Sequence, residues 1–275
     1  MSTPKETSFV VALLAGGCAG TSVDVALFPI DTIKTRLQAP QGFLKAGGFK
    51  GVYSGLAAAA GGSAPGAALF FSTYETSKNL LAKRVDKKYE SGVYMIASSF
   101  GEIAACLVRV PTENVKQKMQ AGMYTKTGEA ISGILKAQGP GGFYVGYLTT
   151  VMREIPFSFI QFPIYEGLKK KWSEMQGQQV NAIQSSLCGS FAGGFSAAVT
   201  TPLDVVKTRL MLGKDAHGVA YNGALDTVSR IYAEGGAGRF FLGVGPRTMW
   251  ISIGGCVFFG AYEGSKSVLA KMFEG

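Results

Sequence analysis

Apolar residues run in long stretches along this chain, but glycine, proline or a charge breaks each one before the roughly 20 uninterrupted apolar residues of a helix wholly surrounded by lipid. The pattern predicts long helices with one apolar, lipid-directed face and one wet or packed face. Two stretches of about 28 residues, at roughly 8–38 and 55–82, are joined by a loop holding a short amphipathic piece. The arrangement recurs twice, so three helix pairs give six spans with both termini on one side.

The recurrence is visible residue by residue. Pro29-x-Asp31-x-x-Lys34-x-Arg36 returns as Pro111-x-Glu113-x-x-Lys116-x-Lys118 and as Pro202-x-Asp204-x-x-Lys207-x-Arg209, with prolines 82 and 91 residues apart. A second box closes each copy: Tyr74, Glu75 and Lys78; Tyr165, Glu166 and Lys169; Tyr262, Glu263 and Lys266. Each glutamate follows a glycine (Gly55, Gly146, Gly243) by 20 residues. Ordered copies of both boxes divide the chain into repeats 1–88, 89–179 and 180–275, which form one integrated unit.

Composition narrows the class. Of 275 residues, 47% are hydrophobic, 16% are charged and 38 are glycine, a balance that fits a membrane protein better than a soluble domain. The net charge of +9 suits an anionic membrane surface or acidic ligands, and no basic-aromatic module points to nucleic acid. Cys18, Cys106, Cys188 and Cys256 lie far apart and His217 is the only histidine, so neither a metal cluster nor a disulfide framework is expected. No phosphate loop or nucleophile–base motif marks an enzyme, and no cofactor is called for. The opening MSTPKETSFV resembles neither a secretory peptide nor an Arg-rich presequence, so any address is expected inside the mature chain.

The threefold Pro-x-acid-x-x-base-x-base box resembles that of the mitochondrial carriers. The resemblance implies an all-α membrane protein: six transmembrane helices in three pseudo-threefold repeats with short matrix helices, multi-pass in the mitochondrial inner membrane and monomeric. The family's continuation, acidic-Gly, four residues, aromatic-basic-Gly, survives partly as Gly47-Gly48 to Tyr53-Ser54-Gly55 and Gln138-Gly139 to Tyr144-Val145-Gly146. The third copy runs from Glu234-Gly235 to Phe241-Leu242-Gly243 with one extra residue. These positions resemble cardiolipin-binding ones, where the missing basic residue leaves backbone N–H groups at helix N-termini as the main phosphate donors.

The resemblance also assigns gates. Acid and base three apart project to one helix face, and the proline is expected to bend or break the helix just before them. Around an axis, the matrix gate would pair Asp31 with Lys116, Glu113 with Lys207 and Asp204 with Lys34. Gln38 and Gln120 stand where the family places a glutamine brace; the third position is Met211, so two braces are expected. The Tyr-Glu-x-x-Lys boxes would form the cytoplasmic gate, the alternative being ordinary pairs on solvated helix ends.

Charges that break the threefold pattern point to the cargo. In the aligned stripes Gly20-Asp24-Leu27-Asp31, Glu102-Cys106-Arg109-Glu113 and Gly193-Ala197-Thr200-Asp204, the unmatched charges are Asp24, Glu102 and Arg109. On the even helices Gly62-Ser63, Arg153-Glu154 and Trp250-Ile251 align 13 residues before each gate glutamate, and Arg247 sits one turn before Trp250. Three acids (Asp24, Glu102, Glu154) and three bases (Arg109, Arg153, Arg247) suit a zwitterion or a cation bearing a carboxylate rather than a nucleotide. Internal pairing, such as Glu102 with Arg109, is the competing use of these charges.

The segments GTSVDVALFPIDTIKTRLQ, CLVRVPTENVKQ, MREIPFSFIQFPIYE and GVGPRTMWISIGG resemble the branch of the family that moves S-adenosylmethionine. This implies import of S-adenosylmethionine into the matrix in exchange for S-adenosylhomocysteine by alternating access. Asp24 is the candidate for the cationic end with Glu102 or Glu154 assisting, Arg153 for the carboxylate, and Trp250 for the adenine or sulfonium. Alternative cargoes are basic amino acids or another adenosine-bearing cofactor; a non-transporting adaptor is the alternative of a different class.

Overall fold

A computed structural model describes residues 25–82 and 90–254. Asp24, Tyr262, Glu263 and Lys266 lie outside the described residues. The described chain is helical: α1 (25–38), α2 (Leu56–Ala82), α3 (Glu90–Gln120), α4 (Thr127–Gln138), α5 (Tyr147–Gln176), α6 (Ala182–Leu212), α7 (Gly223–Gly235) and α8 (244–254). Short 3-10 turns, Pro140–Tyr144 and Ala237–Phe241, lead into α5 and α8.

Helix ends follow local chemistry. Asn181 and Gln184 form a reciprocal capping box at the start of α6, and Gly213 closes it at φ 87°. Pro111 and Pro202 sit inside α3 and α6, and both helices continue past them rather than breaking. Neighbouring helices and nearby hydroxyls can re-satisfy the backbone groups that a proline frees within a membrane.

Large apolar side chains line the outer faces of the long helices. On α3, Ile96, Phe100, Ile103 and Leu107 face outward while Ala97, Ala105, Cys106 and Val110 are buried. On α6, Leu187, Phe191, Phe195 and Val199 face outward, whereas Ser196, Thr200, Asp204 and Lys207 are buried. An apolar outer stripe over a polar interior is the arrangement a lipid solvent selects. Gly92–Gln120 is also long and apolar enough to cross a membrane, with mean hydropathy 1.5.

Glycines set the close approaches. A Cβ at Gly101 would lie 3.1 Å from the Phe70 carbonyl, so α2 and α3 pack backbone to backbone there. Gly193 similarly admits Ile251, bringing α8 against α6. In the second and third repeats the expected amphipathic piece is an α-helix: α4 buries Ala130 and Ile134 against Val115 and Met119, and α7 buries Ile231 against Val205 and Val206. In the first repeat residues 40–55 make turns instead. Gly42, Gly47, Gly48, Gly51 and Gly55 there all hold positive φ, which interrupts a helix.

Candidate functional site

The Pro-x-acid boxes of α1, α3 and α6 converge at one level. Lys116 Nζ lies 2.6 Å from Asp31, Lys207 2.7 Å from Glu113 and Lys34 2.7 Å from Asp204. Each pair joins the first helices of two different repeats, so the three together tie α1, α3 and α6 into a closed ring. Lys207 is 1% exposed and donates to both Glu113 oxygens, as a desolvated ammonium needs. Lys116 also stands 5.3 Å over the Phe28 ring.

Two glutamines cross the ring. Gln120 donates to Asp31 at 3.0 Å and accepts from Thr35; Gln38 donates to Asp204 at 3.0 Å and to the Leu242 carbonyl. Met211 packs with Cys106 and Val110. Glu113 instead accepts from Gln117 on its own helix, 3.0 Å away. Sequence reading missed that third donor, although a glutamine four residues past an acid is a visible signal.

The second bases of the boxes hold the loops. Arg209 pairs with Glu234 through two 3.0 Å bonds. Arg36 has a glycine, Gly47, at the corresponding position and donates instead to the carbonyls of Gly48, Lys50 and Gln120 at 2.6, 2.6 and 2.8 Å. A Cβ on Gly47 would come within 3.1 Å of that guanidinium carbon, so the missing acid and the glycine are two sides of one arrangement.

Next to the ring lies the asymmetric charge set. Arg109 bonds Glu102 and reaches Glu154 at 3.8 Å; Arg153 bonds Glu154 and reaches Asp204 at 3.7 Å. Arg247, 3% exposed, is 2.7 Å from Asp204 and donates to Thr200. Asp204 is thereby the junction between ring and central set, facing Lys34, Arg247 and Arg153. Arg153 Nε and Arg247 Nε are buried without a well-aligned acceptor, so these guanidinium groups keep donor capacity in reserve. Trp250 is half-buried on α8.

The second set of boxes is arranged differently. Lys78 pairs with Glu75 and Lys169 with Glu166, each at 2.9 Å and each within its own helix. Their lysines also lie 5.4 and 4.5 Å over Tyr74 and Tyr165. Glu75 and Glu166 are 55% and 64% exposed, so the two described boxes of this level face outward where the first level's pairs are buried.

Comparison with known proteins matches this architecture. The sequence model of the family described as "Mitochondrial carrier protein" matches residues 5–85, 87–176 and 178–273. The chain is 50% identical over 264 residues to the "Mitochondrial S-adenosylmethionine carrier protein" of Mus musculus, covering 96% of each chain. It is 50% identical over 268 residues to the protein of that name in Xenopus tropicalis, covering 97% of this chain and 99% of the relative. A Drosophila melanogaster "S-adenosylmethionine mitochondrial carrier protein homolog" is 47% identical over 272 residues, with 96% and 95% covered.

Proposed function

The chain belongs to the mitochondrial carrier family, and we propose that it carries S-adenosylmethionine across the mitochondrial inner membrane, into the matrix, in exchange for S-adenosylhomocysteine. Its family and relatives are carriers rather than enzymes. The observation that carries the cargo reading is half identity, over nearly the whole chain, to S-adenosylmethionine carriers from several animals. The charge set supports it. S-adenosylmethionine brings a sulfonium, an ammonium and a carboxylate, and the central residues offer both signs rather than the surplus of bases a nucleotide requires.

Transport proceeds by alternating access between two gates. The ring of Asp31, Lys116, Glu113, Lys207, Asp204 and Lys34 is the matrix gate, closed in this conformation and braced by Gln38 and Gln120. Glu75, Lys78, Glu166 and Lys169, with Tyr74 and Tyr165 beside them, belong to the cytoplasmic gate, completed by Tyr262, Glu263 and Lys266 of the third repeat. Cargo enters from the open side and meets Asp24, Glu102, Arg109, Arg153, Glu154 and Trp250. Arg153 links the two levels: its guanidinium is shared between Glu154 and Asp204. A cargo carboxylate that draws Arg153 away leaves Asp204 with one cation fewer and favours gate opening by that difference in binding. Arg247 stays on Asp204 and acts as part of the gate. The protein works as a monomer, with cardiolipin phosphates at the helix N-termini of its loop side.

The test is uptake of labelled S-adenosylmethionine into liposomes that contain the protein and are loaded with S-adenosylhomocysteine. Wild type is expected to take up label, empty liposomes far less, and Asp24→Asn to lose most of the uptake. Lysine and arginine are expected to compete poorly. No uptake by wild type removes the cargo assignment; equal uptake without internal S-adenosylhomocysteine removes exchange.

A further inference from the structure

A pocket opens between α3 and α5, with Glu102 and Glu154 at its floor and Ser98, Ser158, Phe159 and Phe162 among its walls. Ser98 and Ser158 lie one helical turn from Glu102 and Glu154 respectively, both on the side away from the closed ring. The charges at the floor are balanced, since Arg109 and Arg153 already bond the two glutamates. A cationic or anionic group therefore gains little there beyond what the arginines supply. The walls are neutral: Ser98 and Ser158 make no hydrogen bond among the described residues, whereas Ser99 beside them donates to the Met95 carbonyl. Phe159 and Phe162 are half-exposed along the same opening.

Two free hydroxyls on facing helices, with flat apolar rings beside them and a charge-balanced floor, match an uncharged group that is planar at one end and rich in hydroxyls at the other. We propose that this α3–α5 pocket is the adenosine subsite: Ser98 and Ser158 hydrogen-bond the ribose diol and Phe159 packs on the purine. This rests on the cargo reading above and deepens it. It leaves Asp24 and Arg153 for the amino-acid end and moves the purine away from Trp250. The remaining carboxylate lone pairs of Glu102 and Glu154 can accept from ribose hydroxyls without losing their arginines.

Fragments of the cargo separate its two ends. In the liposome assay, 5′-methylthioadenosine keeps the nucleoside and lacks the amino acid; S-methylmethionine keeps the sulfonium and amino acid and lacks the nucleoside. For Ser98→Ala/Ser158→Ala, inhibition by 5′-methylthioadenosine is expected to weaken about tenfold, as for two lost hydrogen bonds. Inhibition by S-methylmethionine is expected to stay within about twofold. Ser158→Thr, which keeps the hydroxyl, is expected to retain the nucleoside fragment's effect. Binding of both fragments to detergent-solubilised protein, read by thermal shift, gives the same comparison for a variant that no longer transports. Equal weakening of both fragments, or no change in either, overturns the subsite while wild-type uptake of S-adenosylmethionine keeps the cargo assignment. Absence of that wild-type uptake removes both.

Discussion

Asp204 carries more of the closed ring than its two counterparts. It faces Lys34 and Arg247 at 2.7 Å and Arg153 at 3.7 Å, and accepts from Gln38, whereas Asp31 pairs with Lys116 and accepts from Gln120. Removing its charge strands Arg247, which is buried and has no second carboxylate within 4 Å among the described residues. Asp204→Asn is therefore expected to lower stability by about 3–5 kcal/mol, the usual cost of breaking a buried pair. Asp31→Asn should cost less, because Lys116 keeps 21% exposure and the Phe28 ring. Thermal unfolding of the solubilised proteins compares them, and Asp204→Asn/Arg247→Gln should recover part of the loss. Equal losses from the two single variants would contradict the special place of Asp204. The six ring charges were legible in the sequence because repetition fixes depth and three-residue spacing fixes the helix face, while which acid meets which base was implied by the family resemblance. The placement of Arg247 was not: the alignment singles it out as an unmatched base, but a long side chain near both the cargo level and the ring can reach either. Arg36 was illegible for another reason, since its acceptors are backbone carbonyls and the glycines beside it are their only trace in the sequence.

Between elements, the joints from loop into α2, α5 and α8 repeat one design with unequal tolerance. Gly55, Gly146 and Gly243 all hold positive φ, at 92°, 85° and 76°, where a side chain is strained. A Cβ on Gly55 would lie 3.0 Å from the Lys116 carbonyl and one on Gly243 3.2 Å from that of Lys34, both backbone atoms of ring residues. On Gly146 the neighbour is Met211 Cγ at 2.9 Å, a side-chain rather than a backbone atom, so relief needs a repacking of Met211 rather than a backbone shift. Alanine at Gly55 or Gly243 is thus expected to destabilise more than alanine at Gly146, which should show about the 1–2 kcal/mol of left-handed backbone strain. The same ranking should appear in transport rate if the ring is the proposed gate, because the two carbonyls belong to Lys116 and Lys34 of that ring. Helix existence and pairing were readable from the sequence, but the turn structure at 40–55 depends on consecutive positive-φ glycines rather than on apolar spacing.

The loop between α6 and α7 has its own pH response. Backbone N–H groups of Val219 and His217, with Arg230, hold the Asp215 carboxyl below its usual range, and the Asn222 N–H and Arg230 do the same for Asp226. A carboxylate whose folded pKa is depressed contributes fully above its unfolded value and loses that contribution as pH falls through the lowered one. Hydrogen-exchange protection of the Val219 and Asn222 amides, corrected for intrinsic rates, should hold at about pH 5 and fall below about pH 3.8. Asp215→Asn should flatten the response at Val219; an unchanged profile would exclude the carboxylate as its source.

At the scale of the whole molecule, one level is tied across three helices while the two described pairs of the other are folded back within single helices. The sequence places three acids and three lysines at each level, and in the proposed alternation opening one would free its helices to close the other. The closed state also buries Cys106 completely, between the stripe residues Glu102 and Arg109 and against Val110 and Met211. Met211 lies one turn past Lys207, so separation of α3 from α6 at the ring must uncover this thiol. With Cys18, Cys188 and Cys256 replaced by alanine, Cys106 becomes a reporter of gate opening. Labelling by an impermeant maleimide should be slow in the resting protein. It should quicken severalfold when S-adenosylmethionine is present on both sides and exchange runs, and quicken without cargo in the Asp204→Asn background, where the ring is already weakened. Labelling that ignores both cargo and ring charge would mean that α3 and α6 do not part during transport, and the ring would then be a structural clamp rather than a gate.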